Sequence, residues 1–242
     1  MFDLLSTAEL TASAAIVVFF LSSALSETAR RRGMVAAALA GWFCLVLAAG
    51  ATGALSYPKG MGVGLAVVIP IAVLSLLVLG TTRGRELVQR VPLAALVGIH
   101  SVRVLGLTFV LLYAAKRLPA PFAPVAGWGD VAVGILAMPL ALMLARRASS
   151  VPKGLIAFWN ALGLADLVIA VTLGATSSPG PIQLFRAEPS SAIMSTLPWI
   201  LIPCFLVPSL AFLHLCAFYR LRLLAPERGQ KLRSVRVAAS GL

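Results

Sequence analysis

Five side chains between residues 92 and 220 are of types that could do chemistry inside a membrane: His100, Arg103, Asn160, Asp166 and His214. Each lies in a segment that is otherwise apolar enough to cross a bilayer. A guanidinium recognises anions, a carboxylate carries a proton or balances a cation, and an imidazole titrates near neutral pH. Ionisable groups in a membrane span are costly, so they indicate a functional site by default.

Arg103 and Asp166 are expected at the same depth in the membrane. Arg103 is eleven residues beyond Pro92, which places it roughly 17 Å from the cytoplasmic edge of its span, and Asp166 is twelve beyond Gly154, roughly 18 Å in. A lone arginine or aspartate near the bilayer centre costs about 2.5–3.5 kcal/mol on insertion scales. We therefore predict that these two side chains form an ion pair.

A second polar layer is expected closer to the cytoplasm. His100 should lie roughly 12 Å deep, and Asn160 and His214 roughly 9 Å deep. His100 precedes Arg103 by three residues, so both point to one face of their helix. Helical spacing also predicts a shared face, flanked by Asn160, for Trp159, Gly163 and Asp166.

The composition indicates an all-α membrane protein. Sixty percent of the residues are hydrophobic and 12% are charged, and the mean hydropathy is +0.99. A soluble domain of 242 residues has too small a core to bury that much apolar surface. Seven stretches are long enough for a membrane helix, and they predict one seven-helix domain over residues 1–224, followed by a basic and disordered tail at 225–242. The predicted spans are 8–26, 34–55, 61–80, 92–115, 126–145, 155–175 and 197–219.

The distribution of basic residues predicts the orientation. Fifteen lysines and arginines follow spans 1, 3, 5 and 7, four lie on the opposite side, and Arg103 lies within a span. The positive-inside rule then puts the N-terminus outside and the C-terminus in the cytoplasm, in an inner membrane. The cytoplasmic cations are expected to bind anionic lipids rather than nucleic acid, despite the net charge of +12. Four-residue spacing of small residues such as Ala94 and Gly98 predicts close helix packing, which is compatible with a homo-oligomer.

Asp130 is expected at the outer edge of the fifth span. The preceding segment Pro119–Pro124 predicts an extended connection, so Asp130 would either cap the helix or occupy its first turn. A second interpretation makes Asp130 an outer entry carboxylate, with Trp128 beside it.

Two stretches resemble segments of uncharacterised bacterial seven-span integral membrane proteins. They are Gly127-Trp128-Gly129-Asp130 and Leu197-Pro198-Trp199-Ile200-Leu201-Ile202-Pro203. The resemblance implies a seven-helix membrane fold and no particular activity. The predicted topology also resembles that of seven-helix receptors and microbial rhodopsins, but retinal linkage is excluded because it requires a lysine within the seventh span. The four lysines all lie outside the predicted spans: Lys59, Lys116, Lys153 and Lys231.

The first functional hypothesis is a polar pocket between spans 4, 6 and 7 that opens toward the cytoplasm. It would bind or translocate protons or a small polar or amphipathic molecule. Arg103 would recognise charge and Asp166 would act as its counter-ion or as a proton carrier. His100 and His214 would be titratable partners, with Asn160 and Trp159 lining the pocket.

Three alternatives remain open at this point. The first is a haem b protein in which His100 and His214 are the two axial ligands. The second is a membrane-embedded lipid or isoprenoid enzyme that uses Asp130 or Asp166 as an acid, although no catalytic motif is present and too few ligands are available for a metal site. The third is a polar network that orients the helices and does no chemistry. The scarcity of catalytic groups favours a role other than catalysis.

Overall fold

A computed structural model describes residues 2–57 and 63–224. Within these ranges every regular element is helical, in agreement with the predicted all-α class. The predicted basic tail at 225–242 and Lys59 lie outside the described residues.

The first part of the chain forms three apolar helices and one short polar helix. Helix α1 is Phe2–Ala24, α2 is Ala29–Thr52, and α3 is Val63–Leu74, which continues as a π-helix over Ser75–Leu79. The short helix α4, Thr82–Arg90, turns by 90° from the preceding helix. The side chain of Thr81 begins α4 by accepting a hydrogen bond from the backbone N–H of Gly84 at 3.1 Å, which is an N-cap.

The next span changes its helix type in the middle. It runs from α5, Leu93–Gly98, through a 3₁₀-helix at Ile99–Gly106 to α6, Leu107–Ala114. A 3₁₀ stretch of eight residues is long, since such runs rarely exceed four residues. This 3₁₀ segment carries both His100 and Arg103.

The remaining helices complete the bundle. Helix α7 is Phe122–Arg147 and α8 is Lys153–Thr176. A π-helix at Ile202–Leu206 leads into α9, Val207–Leu224. Short 3₁₀ turns occur at Ala148–Ser150 and Ser191–Ser195.

Six of these helices are long and apolar enough to cross a membrane, and the bent pair of Val63–Leu79 with Thr82–Arg90 makes a seventh span if it is counted as one. The structure differs from the predicted spans at several points, and α1, for example, begins at Phe2 rather than near residue 8. Helix α4 lies where a loop was expected, and α7 begins at Phe122 rather than near residue 126. The Pro119–Pro124 segment is therefore partly helical, because proline is tolerated in the first turn, where backbone N–H groups have no intrahelical acceptor.

The last span is the central element of the bundle. Along α9, buried residues face every direction, and α9 packs against α8, α3 and α5. Immediately before it, Phe205 packs against Trp42 and Phe43 of α2, with ring centroids 4.6 and 5.5 Å apart. Helix α7 packs along the whole fourth span and against α8. The polar side chains that the sequence analysis singled out on spans four to seven are thereby brought together in the interior of the bundle.

Candidate functional site: a buried polar cluster around Arg103

The guanidinium of Arg103 is the centre of a polar cluster that joins three other helices. Its Nε donates to Oδ1 of Asp130 on α7 at 2.6 Å, and its Nη2 donates to Oδ2 of Asp166 on α8. Its Nη1 donates to the carbonyl oxygen of Gly163 at 2.9 Å and lies 3.1 Å from Nε2 of His214 on α9. The Arg103 side chain is 1% exposed, so it is removed from solvent and lipid alike. We call Arg103, Asp130, Asn160, Asp166 and His214 the polar cluster.

The two carboxylates reach one guanidinium because glycines let their helices come close. A Cβ on Gly129 of α7 would overlap the carboxylate of Asp166, and a Cβ on Gly106 would overlap the Asp130 side chain. Each carboxylate accepts a hydrogen bond from Arg103 on one oxygen, Oδ1 of Asp130 and Oδ2 of Asp166. The Asp130 and Asp166 side chains remain 15% and 13% exposed.

The hydrogen bonds of His214 define its tautomer. A guanidinium can only donate, so Nε2 of His214 accepts from Arg103 and carries no hydrogen. Nδ1 then carries the hydrogen and donates to Oδ1 of Asn160 at 2.7 Å. The amide Nδ2 of Asn160 donates in turn to the backbone carbonyl of His214 at 3.0 Å. His214 is therefore a neutral imidazole with both ring nitrogens engaged.

Gly163 provides the space that His214 occupies. A Cβ at this position would lie 2.5 Å from Cε1 and 2.7 Å from Nε2 of His214. Such contacts are too short for any real side chain, so the imidazole can lie against α8 only where the helix has a glycine. Gly163 thus provides a carbonyl acceptor for Arg103, and its lack of a side chain leaves room for the His214 ring.

His100 stacks on His214 but forms none of these hydrogen bonds. The two imidazole centroids are 3.8 Å apart with an interplanar angle of 24°, and Trp159 packs edge-on against His100 at 5.6 Å. Trp159 itself donates from Nε1 to the carbonyl of Val133 at 3.3 Å. His100 is fully buried, and within the described residues neither of its ring nitrogens has a hydrogen-bond partner.

This arrangement does not fit axial ligation of haem by His100 and His214. Axial imidazoles stand on opposite faces of a porphyrin and present one nitrogen each to the iron. Here the two rings are in face-to-face contact, and both nitrogens of His214 are committed to Arg103 and Asn160.

The structure brings together most of the side chains that the sequence singled out, and it corrects the position of Asp130. Arg103 and Asp166 are paired, with the two imidazoles and Asn160 beside them. Asp130 is neither a helix cap nor a first-turn residue, because α7 begins eight residues earlier at Phe122. It is a second carboxylate on Arg103, and span five therefore joins spans four, six and seven in the site.

Trp128 does not join Asp130 in an outer entry. Trp128 is 57% exposed, whereas Asp130 is directed inward at Arg103. Residues two apart on a helix do not share a face, which accounts for the separation. The outer entry composed of Asp130 and Trp128 is not formed.

A partly enclosed cavity of about 50 Å³ adjoins the polar cluster. Arg103 and Asp130 line one side of it, and Leu10 and Ser13 of α1 line another. The remaining wall is apolar and comes mainly from the fourth span, α8 and the start of the last span. The cavity does not lie between spans 4, 6 and 7 alone, as the sequence predicted, because α1 and α7 also enclose it.

Sequence reasoning missed Glu9 as a side chain near this site. Its Oε1 accepts a hydrogen bond at 2.9 Å from Oγ1 of Thr108, which is 5% exposed at the start of α6. The first span was expected to begin near residue 8, whereas α1 begins at Phe2, so Glu9 lies deeper in the helix than the sequence indicates. Leu10 and Phe109, which directly follow Glu9 and Thr108 in the sequence, line the cavity.

Comparisons with known proteins identify a family but no characterised relative. No curated protein and no solved structure matches the chain. The model of a domain of unknown function, DUF8737, matches residues 60–222, which is more than half of the chain and includes every member of the polar cluster and His100. Helices α1 and α2 precede the matched region. The chain belongs to the DUF8737 family.

Proposed function

We propose that this chain is a seven-span inner-membrane protein whose polar cluster binds and releases a proton within the bilayer. The N-terminus would face outside and the C-terminus the cytoplasm, as the basic residues favour. The observation that carries the proposal is the sharing of one guanidinium by two carboxylates, Asp130 and Asp166, in an apolar interior.

The charge of the cluster changes by one unit on proton binding. Arg103 contributes one positive charge, and two ionised carboxylates contribute two negative charges. His214 is neutral because it accepts from Arg103 and donates to Asn160. The cluster with both carboxylates ionised therefore has a net charge of −1, and one added proton makes it neutral. Net charge in a low-dielectric interior is costly, so the binding of one proton, which makes the cluster neutral, is favoured.

The hydrogen bonds leave a place for that proton. Arg103 contacts Oδ1 of Asp130 and Oδ2 of Asp166, so the second oxygen of each carboxylate is not used in these bonds. A proton can bind such an oxygen without displacing the guanidinium. The cluster can then alternate between two charge states while its four helices remain connected.

The size of the adjoining cavity favours a proton over a larger ligand. Pockets for small molecules usually have volumes of about 300–1,000 Å³. A cavity of about 50 Å³ next to Arg103 is much smaller than a metabolite or an isoprenoid chain requires. It is nevertheless large enough for roughly three to five water molecules, at about 10–15 Å³ each.

The test is an infrared titration of the purified protein in lipid nanodiscs. We expect the carboxylic acid C=O absorbance to grow as pH is lowered, and one component of it to be lost when both Asp130→Asn and Asp166→Asn are introduced. Glu86→Gln is the matched control, because Glu86 is an exposed carboxylate on α4, outside the cluster. The component from the cluster should persist in that variant. If the doubly substituted protein loses no more than the absorbance that Glu86→Gln loses, the cluster is only a structural network.

A further inference from the structure

We infer that the cluster exchanges its proton with the side of the bundle where α1 begins, through a hydrated cavity, and that Glu9 is the entry carboxylate. This inference rests on the proposed proton site and specifies its route. The observation that carries it is the position of the cavity of about 50 Å³, which has Arg103 and Asp130 on one wall and α1 on another.

The opposite side of the cluster is closed by packed rings. His100 and His214 are fully buried, and Trp159 is 4% exposed. The three rings contact one another at centroid distances of 3.8–5.6 Å. The cavity lining contains none of them. Among the described residues, the space next to Asp130 therefore lies toward α1 and not toward the histidines.

The cavity wall includes polar groups that can hold water. A bound water needs about two to four polar partners, and a cavity without them stays dry. Asp130, Arg103 and Ser13 are the residues with polar side chains among those that line this cavity. Ser13 donates to the backbone carbonyl of Glu9 at 2.9 Å, and its hydroxyl oxygen can still accept.

Glu9 lies where a route from the start of α1 would enter this space. Glu9 directly precedes Leu10, which lines the cavity. Its carboxylate accepts a hydrogen bond from Thr108, two residues after Gly106, and Gly106 also lines the cavity. Gly106 in turn contacts the Asp130 side chain, since a Cβ there would overlap it. The Glu9 carboxylate thus contacts the same short stretch of the fourth span, residues 106–108, as the Asp130 side chain does. It accepts one hydrogen bond, from Thr108, and has a second oxygen for a proton.

The transfer needs only water as a co-reactant. A proton from the solvent forms an O–H bond on the Glu9 carboxylate. Glu9 then gives that proton to a water in the cavity, and each water accepts one proton on a lone pair and releases one of its own. The last water protonates Asp130, and the chain of waters is restored with one proton moved. At the inner end of the route, Asp130 pairs with Arg103, which also pairs with Asp166. At the outer end, the Glu9 carboxylate accepts a hydrogen bond from the neutral hydroxyl of Thr108.

The experiment measures how fast the carboxylic acid C=O band of the cluster shifts after transfer to D₂O, in the same nanodiscs. We expect Glu9→Gln to slow this exchange about tenfold, equivalent to about 1.4 kcal/mol in the barrier. Glu9→Asp should recover part of the rate because it keeps a carboxylate. Asp3→Asn is the matched control, because Asp3 is on the same helix but pairs with Arg117 at the surface, and this variant should exchange at the native rate.

A second variant tests the cavity independently of Glu9. Val207 lines the cavity on α9, and Val207→Phe places a ring in the space for water. Exchange should slow in Val207→Phe as well. The pH titration of the C=O band of the cluster should stay native in this variant and in the Glu9 and Asp3 variants. Native exchange rates in both Glu9→Gln and Val207→Phe would overturn the route. Absence of any titrating band in the native protein would instead overturn the proton site on which the route rests.

Discussion

Nε of Arg103 donates to Oδ1 of Asp130 at 2.6 Å while Nη2 of the same guanidinium donates to Asp166, so one buried cation serves two carboxylates from neighbouring helices. In the proposed function, this relationship allows the net charge of the cluster to change when one proton binds. It also makes the stability of the bundle depend on the balance among three side chains rather than on any one of them.

Removing the cation alone should be worse than removing all three charges. Arg103→Met leaves Asp130 and Asp166 buried without a counter-ion, which we expect to cost about 3–5 kcal/mol in the free energy of unfolding. The triple variant Arg103→Met, Asp130→Asn, Asp166→Asn has no unpaired charge and should recover part of that loss. Unfolding of both proteins in mixed detergent micelles measures the difference. A triple variant no more stable than the single one would contradict the ion-pair account.

The two histidines should respond oppositely to the same substitution. His100→Phe keeps a ring against His214 and removes two buried nitrogens that have no partner in the described residues, so thermal stability should be unchanged or higher. His214→Phe deprives Arg103 and Asn160 of a hydrogen-bond partner each and should cost about 1–3 kcal/mol. Equal losses in the two variants would show that His100 has a polar partner.

The tautomer of His214 is directly observable. The chain has two histidines, so His100→Phe leaves a single imidazole to observe. ¹⁵N nuclear magnetic resonance of this variant, labelled in histidine, should show hydrogen on Nδ1 and none on Nε2, because Nε2 accepts from Arg103. A hydrogen on Nε2 would mean that the Arg103 contact is not a hydrogen bond. Replacing Asn160 by Leu should then shift the signal, since Asn160 is the acceptor for Nδ1.

A methyl group at Gly163 should disrupt the site from within the helix. Gly163→Ala puts a Cβ 2.5 Å from the His214 ring, which must move, and we expect a loss of about 1–3 kcal/mol from overpacking. Gly154→Ala is the control on the same helix α8, because a Cβ there meets nothing within 4 Å. The midpoint of thermal unfolding should fall in the first variant only. Similar midpoints in both would show that α8 can move away from α9.

The sequence was sufficient for the pairing of Arg103 with Asp166 because depth in a membrane follows from residue count. Both residues were placed near the midplane from their distances to the helix ends, and the structure pairs them. The same reasoning found the layer with His100, His214 and Asn160. Matched depth is informative here because an unpaired charge in lipid is so costly.

Asp130 was misplaced because the start of its helix was misjudged. The repeated prolines at 119–124 indicate an extended chain, yet Pro124 lies in the first turn of α7, where proline is acceptable. The helix thus begins about four residues earlier than expected, which moves Asp130 roughly 6 Å farther from its end. The 3₁₀ geometry of Ile99–Gly106 and the association of Glu9 with Thr108 depend on tertiary packing, and local sequence patterns do not encode them.

The most direct test of the proton site is solid-state nuclear magnetic resonance of protein in lipid bilayers, with ¹³C at the aspartate carboxyl carbons. Asp130→Asn and Asp166→Asn identify the two signals of the cluster. The account predicts that the native pair gains one proton as pH is lowered while the protein stays folded and Arg103 keeps its contacts. If both carboxylates remain ionised at every pH at which the bundle is intact, the cluster does not bind a proton and the proposed function is wrong.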